Sequence, residues 1–182
     1  MARKPRKKKL KITSATIRPA DPGTATETAE DAPAQHGIAV DIDNPNDTPL
    51  HVWASPRGYD FNSETRVLTL YLTDNQPDPP ADIKMISSHP RTPSQLVVDA
   101  NGKATIDVQV PKTIRRRVAG EGLSLSFVEE PIEQIDRIDI HIQSAFEPMQ
   151  YVVDESPEDH HKRLRAHGDV VKTTITPTQK QE

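Results

Sequence analysis

No cysteine occurs among the 182 residues of this chain. Disulfide bridges, thiolate metal sites and cysteine nucleophiles are therefore excluded, and the composition fits a reducing compartment. No apolar run reaches the length of about 18 residues that a membrane-spanning helix needs, so we expect no membrane span. The basic start is not followed by the apolar stretch of a secretory signal. The expected location is the cytoplasm, or the nucleus if the cell has one.

Glycine is also scarce, with seven residues scattered singly along the chain. Neither a P-loop nor a GxGxxG dinucleotide fingerprint is therefore present. No serine lies in a GxSxG nucleophile elbow. The adjacent carboxylates Glu129 and Glu130 would point to opposite faces of a strand and would not share a substrate. We expect a protein that is not an enzyme and has no cofactor.

Two groups of polar residues invite a metal interpretation, and both fail. Residues 41–47 (DIDNPND) begin like an EF-hand loop, but Pro45 stands at the third ligand position and Val52 where the bidentate Glu should be. His160 and His167 lie near one face of a predicted helix, but no third zinc ligand is apparent. We therefore predict no metal site.

The charges are distributed unevenly. Hydrophobic residues make up 34% of the chain, below a typical ~45–50%, which indicates that part of the chain lies outside a core. Eight of the 23 Lys and Arg residues fall within residues 1–18, which contain no Asp or Glu; the remaining fifteen are outnumbered by 27 acidic residues. A cationic leader is thus attached to an anionic body.

Residues 1–11, the basic arm, form the most specific feature of the sequence. Its candidate binding residues are Arg3, Lys4, Arg6, Lys7, Lys8, Lys9 and Lys11. Such a block repels itself and should be disordered alone. It would attract phosphates without sequence preference, and the absence of aromatic residues argues against base stacking. An anionic membrane surface, an acidic protein surface and a nuclear import receptor remain alternatives, as does a tail that only solubilises the chain or is attracted to its own acidic body.

Composition divides the chain into three parts. Residues 1–36 comprise the basic arm and a Pro/Thr/Ala-rich acidic linker and should be mostly disordered, although 10–18 is strand-like. Residues 37–153 should form the folded domain. Residues 154–182 form a C-terminal extension. It contains a short helix over 156–167, with Ser156 as N-cap and Gly168 as the stop, and a strand-like run over 170–176.

The pattern over 37–153 predicts β-structure. Residues 95–98 and 103–110 flank Asn101-Gly102, which favours a tight hairpin. In the second run Ala104, Ile106, Val108 and Val110 alternate with polar residues, and Pro111 should end the strand. Further short runs are separated by prolines. The fold class predicted is all-β, a single antiparallel β-sandwich.

The succession of turns and the run from aliphatic residues through Asp99-Ala100-Asn101-Gly102-Lys103 to alternation and Pro111 resemble immunoglobulin-like modules. The resemblance covers residues 37–143 and is at superfamily level. The Cys-Trp-Cys pattern of antibody domains is absent. The resemblance implies a β-sandwich and transfers no functional residue.

Two further clusters have competing interpretations. Trp53, Tyr59 and Phe61 are three of only seven aromatic residues and lie within nine positions. They are either interface anchors or packing at one end of the sandwich, which is commoner. Arg115–Arg117 either extend a cationic surface or protect an edge strand from pairing with another molecule.

From these features we predict a structural or adaptor protein that makes protein–protein contacts and engages an acidic partner through its arm. Strand-like stretches in both tails suit strand addition between subunits, so a homo-oligomer is also expected. The alternatives are a nucleic-acid-associated protein that binds through the arm, and a small hydrolase or carbohydrate-active sandwich. No small-molecule ligand is predicted.

Overall fold

The computed structural model describes residues 7–18, 35–77, 92–119 and 125–179. The first six residues of the basic arm, most of the predicted linker and a predicted strand over 83–87 lie outside these ranges. The described chain is mostly β with one short helix, as predicted. It contains no helix that is both long enough and apolar enough to cross a membrane.

The elements in chain order are β1 (Lys11–Arg18), β2 (Gln35–Asp43), β3 (Leu50–Trp53), β4 (Gly58–Asn62), β5 (Val67–Leu72), β6 (Gln95–Val98), β7 (Lys103–Pro111), β8 (Thr113–Ala119), β9 (Leu125–Pro131), β10 (Arg137–Ala145), α1 (Pro157–Ala166), β11 (Asp169–Ile175) and β12 (Thr178–Gln179).

Sheet A has the strand order β12-β1-β2-β7. The alternation in β7 is observed, since Ile106, Val108 and Val110 are buried while the residues between them are exposed. β7 ends at Pro111, as predicted, because proline has no N–H to donate to a ladder. One face of this sheet is therefore apolar and the other polar.

Sheet B has the order β4-β5-β10-β3-β6, and β11 also pairs with β10. β5 and β10 run parallel, with Leu68 opposite Ile138, and so do β1 and β12. The prediction of a wholly antiparallel fold is therefore wrong for these pairs. The long stretch between β5 and β10, which includes β6 to β9, provides the crossover that a parallel pair requires. Buried side chains of both sheets pack into one core cluster.

The predicted Asn101-Gly102 hairpin is wrong, because β6 pairs with β3 in sheet B while β7 pairs with β2 in sheet A. Asn101 does adopt the expected positive φ, 52°. However, its amide donates to the carbonyl of Asn46, and the carbonyl of Gly102 accepts from the amide of Asn44. The turn thus bonds to a neighbouring loop and carries the chain from one sheet to the other.

The sheet begins earlier than the predicted start at Gly37. β1 pairs antiparallel with β2, and Ala15 and Leu10 are buried in the core. β1 succeeds as a strand because its apolar residues Ile12, Ala15 and Ile17 face the same way as the core side chains of β2. A β-bulge between Ile12 and Ser14 restores that register.

The C-terminal elements are present as the sequence predicts. Ser156 caps α1 by accepting a hydrogen bond from the amide of Asp159. Gly168 follows the helix at φ 79°. β11 pairs antiparallel with β10 over seven positions. Leu164 packs with Trp53 and Met149 in a second, smaller cluster, so α1 covers the face of sheet B that lies opposite the main core.

Candidate functional site

The last part of the basic arm is fixed to the body of the protein. The amide of Lys8 donates to Oδ1 of Asn46 at 2.8 Å, and Nδ2 of Asn46 donates to the carbonyl of Lys8 at 2.9 Å. Leu10 is only 3% exposed and belongs to the core. The predicted free arm is therefore wrong for Lys7–Lys11, hereafter the basic segment. Arg3, Lys4 and Arg6 lie outside the described residues.

The lysine side chains of the basic segment face solvent although its main chain is held. Lys7, Lys8, Lys9 and Lys11 are all exposed. Nζ of Lys7 lies 4.5 Å from the ring centroid of Phe146, a cation–π contact. The segment thus presents four cations from a main chain that is held at Lys8 and in β1.

The loop that holds the basic segment is organised by two asparagines. Nδ2 of Asn44 donates to the carbonyls of Thr48, Val98 and Asp99. Oδ1 of Asn44 accepts from the amide and from the side chain of Asn46. Because both side chains are engaged with the protein, they are not poised as metal ligands. The described residues contain no group of three metal-ligating side chains.

A shallow hollow of about 380 Å³ lies on the polar face of sheet A beside the basic segment, lined by residues of β1, β2 and β7. At its floor Asp41 accepts hydrogen bonds from Ser14 at 2.5 Å and from Thr105 at 2.6 Å. These two bonds hold the pKa of Asp41 below its ordinary value of 3.8. A carboxylate kept ionised in this way is not a proton donor near neutral pH, so the hollow lacks a general acid at Asp41.

The charges around the basic segment alternate across sheet A. Asp43 lies between Lys11 on β1 and Lys103 on β7 in the strand register. Nζ of Lys103 is 4.0 Å from a carboxylate oxygen of Asp43. Further along the face, Arg18 reaches across β2 to Asp107 at 3.0 Å. On this face of sheet A, the cations Lys103 and Arg18 are thus paired with carboxylates.

The aromatic cluster predicted from Trp53, Tyr59 and Phe61 is not an exposed patch. Trp53 is fully buried beneath α1, and Phe61 is 3% exposed in the main core. Only Tyr59 is exposed, at 39%. The interface interpretation is wrong for Trp53 and Phe61, because the two sheet faces on which they lie are both covered.

Arg115–Arg117 lie on β8, which pairs with β9 to form a separate two-stranded ribbon. In its register Arg115 is opposite Glu129 and Arg117 is opposite Phe127. Phe127 and Val128 are each about half exposed. In the described part of the chain this ribbon pairs with no strand of sheets A or B, so charged residues occupy a strand with a free edge, as the edge-protection interpretation requires.

Sequence reasoning missed a cluster at the start of α1. Glu155 accepts from Arg163 through Nε at 2.7 Å and Nη2 at 2.6 Å, and Nδ1 of His160 lies 3.0 Å from the same carboxylate. The hydrogen bond from Arg163 is the main cause of a lowered pKa for Glu155. The i, i+3 spacing of His160 and Arg163 places them on one face of the predicted helix. It is only a weak signal of this cluster, because Glu155 lies before the helix and shares no turn with them.

Sequence reasoning also missed a polar row across sheet B, formed by Tyr71, His141 and Lys172 on adjacent strands. The rings of Tyr71 and His141 meet edge to face, with centroids 5.0 Å apart. Burial, and then the charge of Lys172, lower the pKa of His141 below its ordinary value of 6.5. Neutral histidine is thus favoured within the row.

The sequence matches no protein-family model, no curated protein and no solved structure.

Proposed function

We propose that this protein is a non-enzymatic structural or adaptor protein that binds an acidic partner through the basic segment and the basic residues that precede it. The observation that carries the proposal is the fixed main chain of Lys7–Lys11, held by Asn46 and Leu10, from which four lysines project into solvent. A fixed backbone reduces the conformational entropy that binding must remove.

The body proposed for this role is an immunoglobulin-like β-sandwich. Supporting it are the two sheets whose apolar faces contribute to one core cluster, and the arch between β6 and β7 that joins them. The body would position the basic segment and offer exposed apolar residues for protein–protein contacts. Val97 and Phe127 are each 52% exposed.

Nucleic acid is the second candidate partner. The observation that favours it is the density of charge, since Lys7, Lys8 and Lys9 are consecutive and all three are exposed. Closely spaced cations suit a phosphate backbone, which carries one charge per about 1.7 Å of duplex axis. Binding would then be salt-dependent and indifferent to base sequence.

The test compares four proteins against two labelled probes, a random-sequence DNA duplex and a polyglutamate peptide, over a series of salt concentrations. The first is the full chain and the second lacks residues 1–6. A larger deletion is unsuitable because it would remove Leu10 from the core. The third carries four Lys→Gln substitutions in the basic segment. The fourth is a matched control with four exposed cations replaced by Gln elsewhere, namely Lys112, Arg137, Lys162 and Lys172.

The proposal predicts that the basic-segment variant binds its probe at least tenfold more weakly than the control variant at low salt. For duplex DNA, each lost phosphate contact should reduce the slope of log K against log salt by about 0.9. Preference for DNA over polyglutamate selects the nucleic-acid role, and the reverse preference selects the adaptor role. Equal affinities of the basic-segment and control variants for both probes would overturn the proposal.

A further inference from the structure

The C-terminal segment, residues 155–179, supplies an edge strand to each sheet. β11 runs antiparallel beside β10, from Ile175 opposite Ile138 to Asp169 opposite Ser144. β12 then pairs in parallel with β1, with Thr178 opposite Thr16. One continuous segment thus joins the two sheets along an edge of each.

The contacts of this segment are made with the body of the protein. Gln143, which is fully buried, donates through Nε2 to the carbonyls of Leu164 at 2.6 Å and His167 at 2.7 Å. Nδ2 of Asn75 donates to the carbonyl of Arg165 at 2.9 Å. None of these contacts involves residues 151–154, and the further contacts of Leu164, Arg163 and His167 are with residues 147–150, which precede them. The C-terminal segment of a second copy would therefore make the same contacts.

The connection between β10 and α1 spans residues 146–156, and Arg163 brackets its central part, Tyr151–Asp154. Nη1 of Arg163 donates to the carbonyl of Gln150 at 2.6 Å, while its other nitrogens bind Glu155. Between these two anchors Tyr151, Val152 and Val153 are 75%, 42% and 70% exposed. Asp154 adopts a left-handed φ of 61°.

Local preference and local structure disagree in this connection. Tyr and Val favour extended strand, yet Val153 and Asp154 form a solvent-exposed turn here. The left-handed φ of Asp154 costs more than extended backbone, although less for Asp than for most residues. Three consecutive large apolar side chains exposed to water need a further reason. An extended connection would satisfy the preference of Val153 and remove the left-handed turn at Asp154.

We propose that the chain forms a homodimer by exchange of the C-terminal segment between two copies. In the dimer Tyr151–Asp154 is extended and lies beside the same residues of the second copy about a two-fold axis, where the three apolar side chains bury one another. Exchange keeps every contact of the segment with the body. The dimer therefore gains the contacts between the two connections at little cost. The proposal does not depend on the partner of the basic segment, because it concerns a different part of the chain.

Cross-linking tests the exchange directly, since the chain has no cysteine of its own. Asp139 and Thr174 face each other on β10 and β11, with Oγ1 of Thr174 donating to Asp139 at 2.6 Å. The full-length variant D139C/T174C is treated with a short bifunctional maleimide and run on a denaturing gel. The matched control is D43C/K103C, a register pair on β2 and β7 that lies entirely within the body.

The exchange predicts a covalent dimer for D139C/T174C and a cross-linked monomer for D43C/K103C. A cross-linked monomer for both variants would overturn the proposal, even if the protein is dimeric in solution. If D139C/T174C fails to fold, T16C/T178C makes the same test across β1 and β12. The readout does not involve the basic segment, so its result is separate from that of the polyanion-binding test.

Substitutions in the connection provide an independent measurement. Sedimentation over a concentration series gives the dimer dissociation constant. We expect Y151S/V152S/V153S to raise it at least tenfold, while V97S, which removes a similarly exposed valine elsewhere, leaves it unchanged. D154G should favour the monomer because glycine accepts the left-handed turn, and D154P should favour the dimer because proline cannot adopt it. A wild-type protein that stays monomeric to millimolar concentration would overturn the proposal.

Discussion

Asn46 and Lys8 are joined by two reciprocal hydrogen bonds, one from the Lys8 amide to Oδ1 and one from Nδ2 to the Lys8 carbonyl. They bond as adjacent strands do, except that an asparagine side chain replaces one of the two backbones. This arrangement fixes the main chain of the basic segment to the body at Lys8.

The substitution Asn46→Ala should therefore release the basic segment. Loss of these bonds, and of the bond from Nδ2 to Asn44, should lower the free energy of unfolding by about 1–3 kcal/mol. The local readout is hydrogen exchange at the Lys8 amide, which should become much faster. Asn75→Ala is the control, since it removes one exposed hydrogen bond and should cost under about 0.5 kcal/mol. Unchanged exchange at Lys8 in the Asn46 variant would contradict the tether.

Substitution by alanine should change the free energy of unfolding in opposite directions at two glycines, Gly168 and Gly37. Gly168 has a φ of 79°, and a Cβ there would overlap the carbonyl oxygen of Ser144. Gly168→Ala should therefore lower the free energy of unfolding by more than about 2 kcal/mol, combining left-handed strain with the clash. Gly37 lies in β2, where a Cβ would meet its nearest atoms at 3.6 Å, an ordinary contact.

Gly37→Ala should be neutral or stabilising by up to about 1 kcal/mol, because alanine restricts the unfolded chain without strain in the strand. Urea unfolding of both variants measures the difference. Equal destabilisation by the two substitutions would show that the close packing of Gly168 against Ser144 does not determine the cost of Gly168→Ala.

The end of α1 at Gly168, which the sequence predicts, illustrates what local chemistry predicts well. The capping serine, the proline at the first helical position and the terminal glycine all act within a few residues, so α1 could be placed before the fold was known. Asn101-Gly102 illustrates the limit. Its positive φ was predictable from Asn101 alone, but whether the turn forms a hairpin or an arch depends on partners at Asn44 and Asn46, which are distant in sequence.

The candidate site shows the same division between local features, which the sequence predicts, and contacts distant in sequence, which it does not. The charge of Lys7–Lys11 is evident from composition, and a block of like charges predicts disorder. Leu10 and Asn46 reverse that prediction through a core contact and a side-chain tether that no local pattern encodes. Exposure of Tyr151–Val153 was equally hidden, because an apolar run of this kind ordinarily predicts a buried strand.

Acid should weaken the docking of α1 through Glu155. Hydrogen bonds from Arg163 lower the pKa of this carboxyl below its ordinary value of 4.5. A carboxyl with a lowered folded-state pKa contributes stability that is present above the unfolded pKa and is lost as the pH falls through the folded value. The advantage in stability of the wild type over Glu155→Gln should thus be complete above about pH 5 and should shrink as the pH falls below 4.5 towards the folded-state pKa.

Urea unfolding of both proteins between pH 3 and 8 measures this convergence. Glu158→Gln is the control, because Glu158 forms an exposed i, i+4 pair with Lys162 and such pairs contribute little. A constant difference between wild type and Glu155→Gln down to pH 3 would contradict the role of the Glu155 carboxylate.

His141 should titrate below pH 6.5, because burial and the nearby charge of Lys172 both disfavour its protonated form and lower its pKa. Its protonation is then more favourable in the unfolded chain, so stability is complete above pH 6.5 and declines as the pH falls from there towards the folded-state pKa. The titration is followed by the chemical shift of the imidazole C–H protons.

Two neighbouring substitutions should move this titration in opposite directions. Lys172→Gln removes a cation that lowers the pKa of His141, so the midpoint should rise. Asp139→Asn removes an anion that raises it, so the midpoint should fall. Because both residues lie on strands beside or within β10, a general loosening of the sheet would shift both midpoints towards 6.5. Opposite shifts therefore identify the charges as the cause, and a common shift would assign the lowered pKa to burial alone.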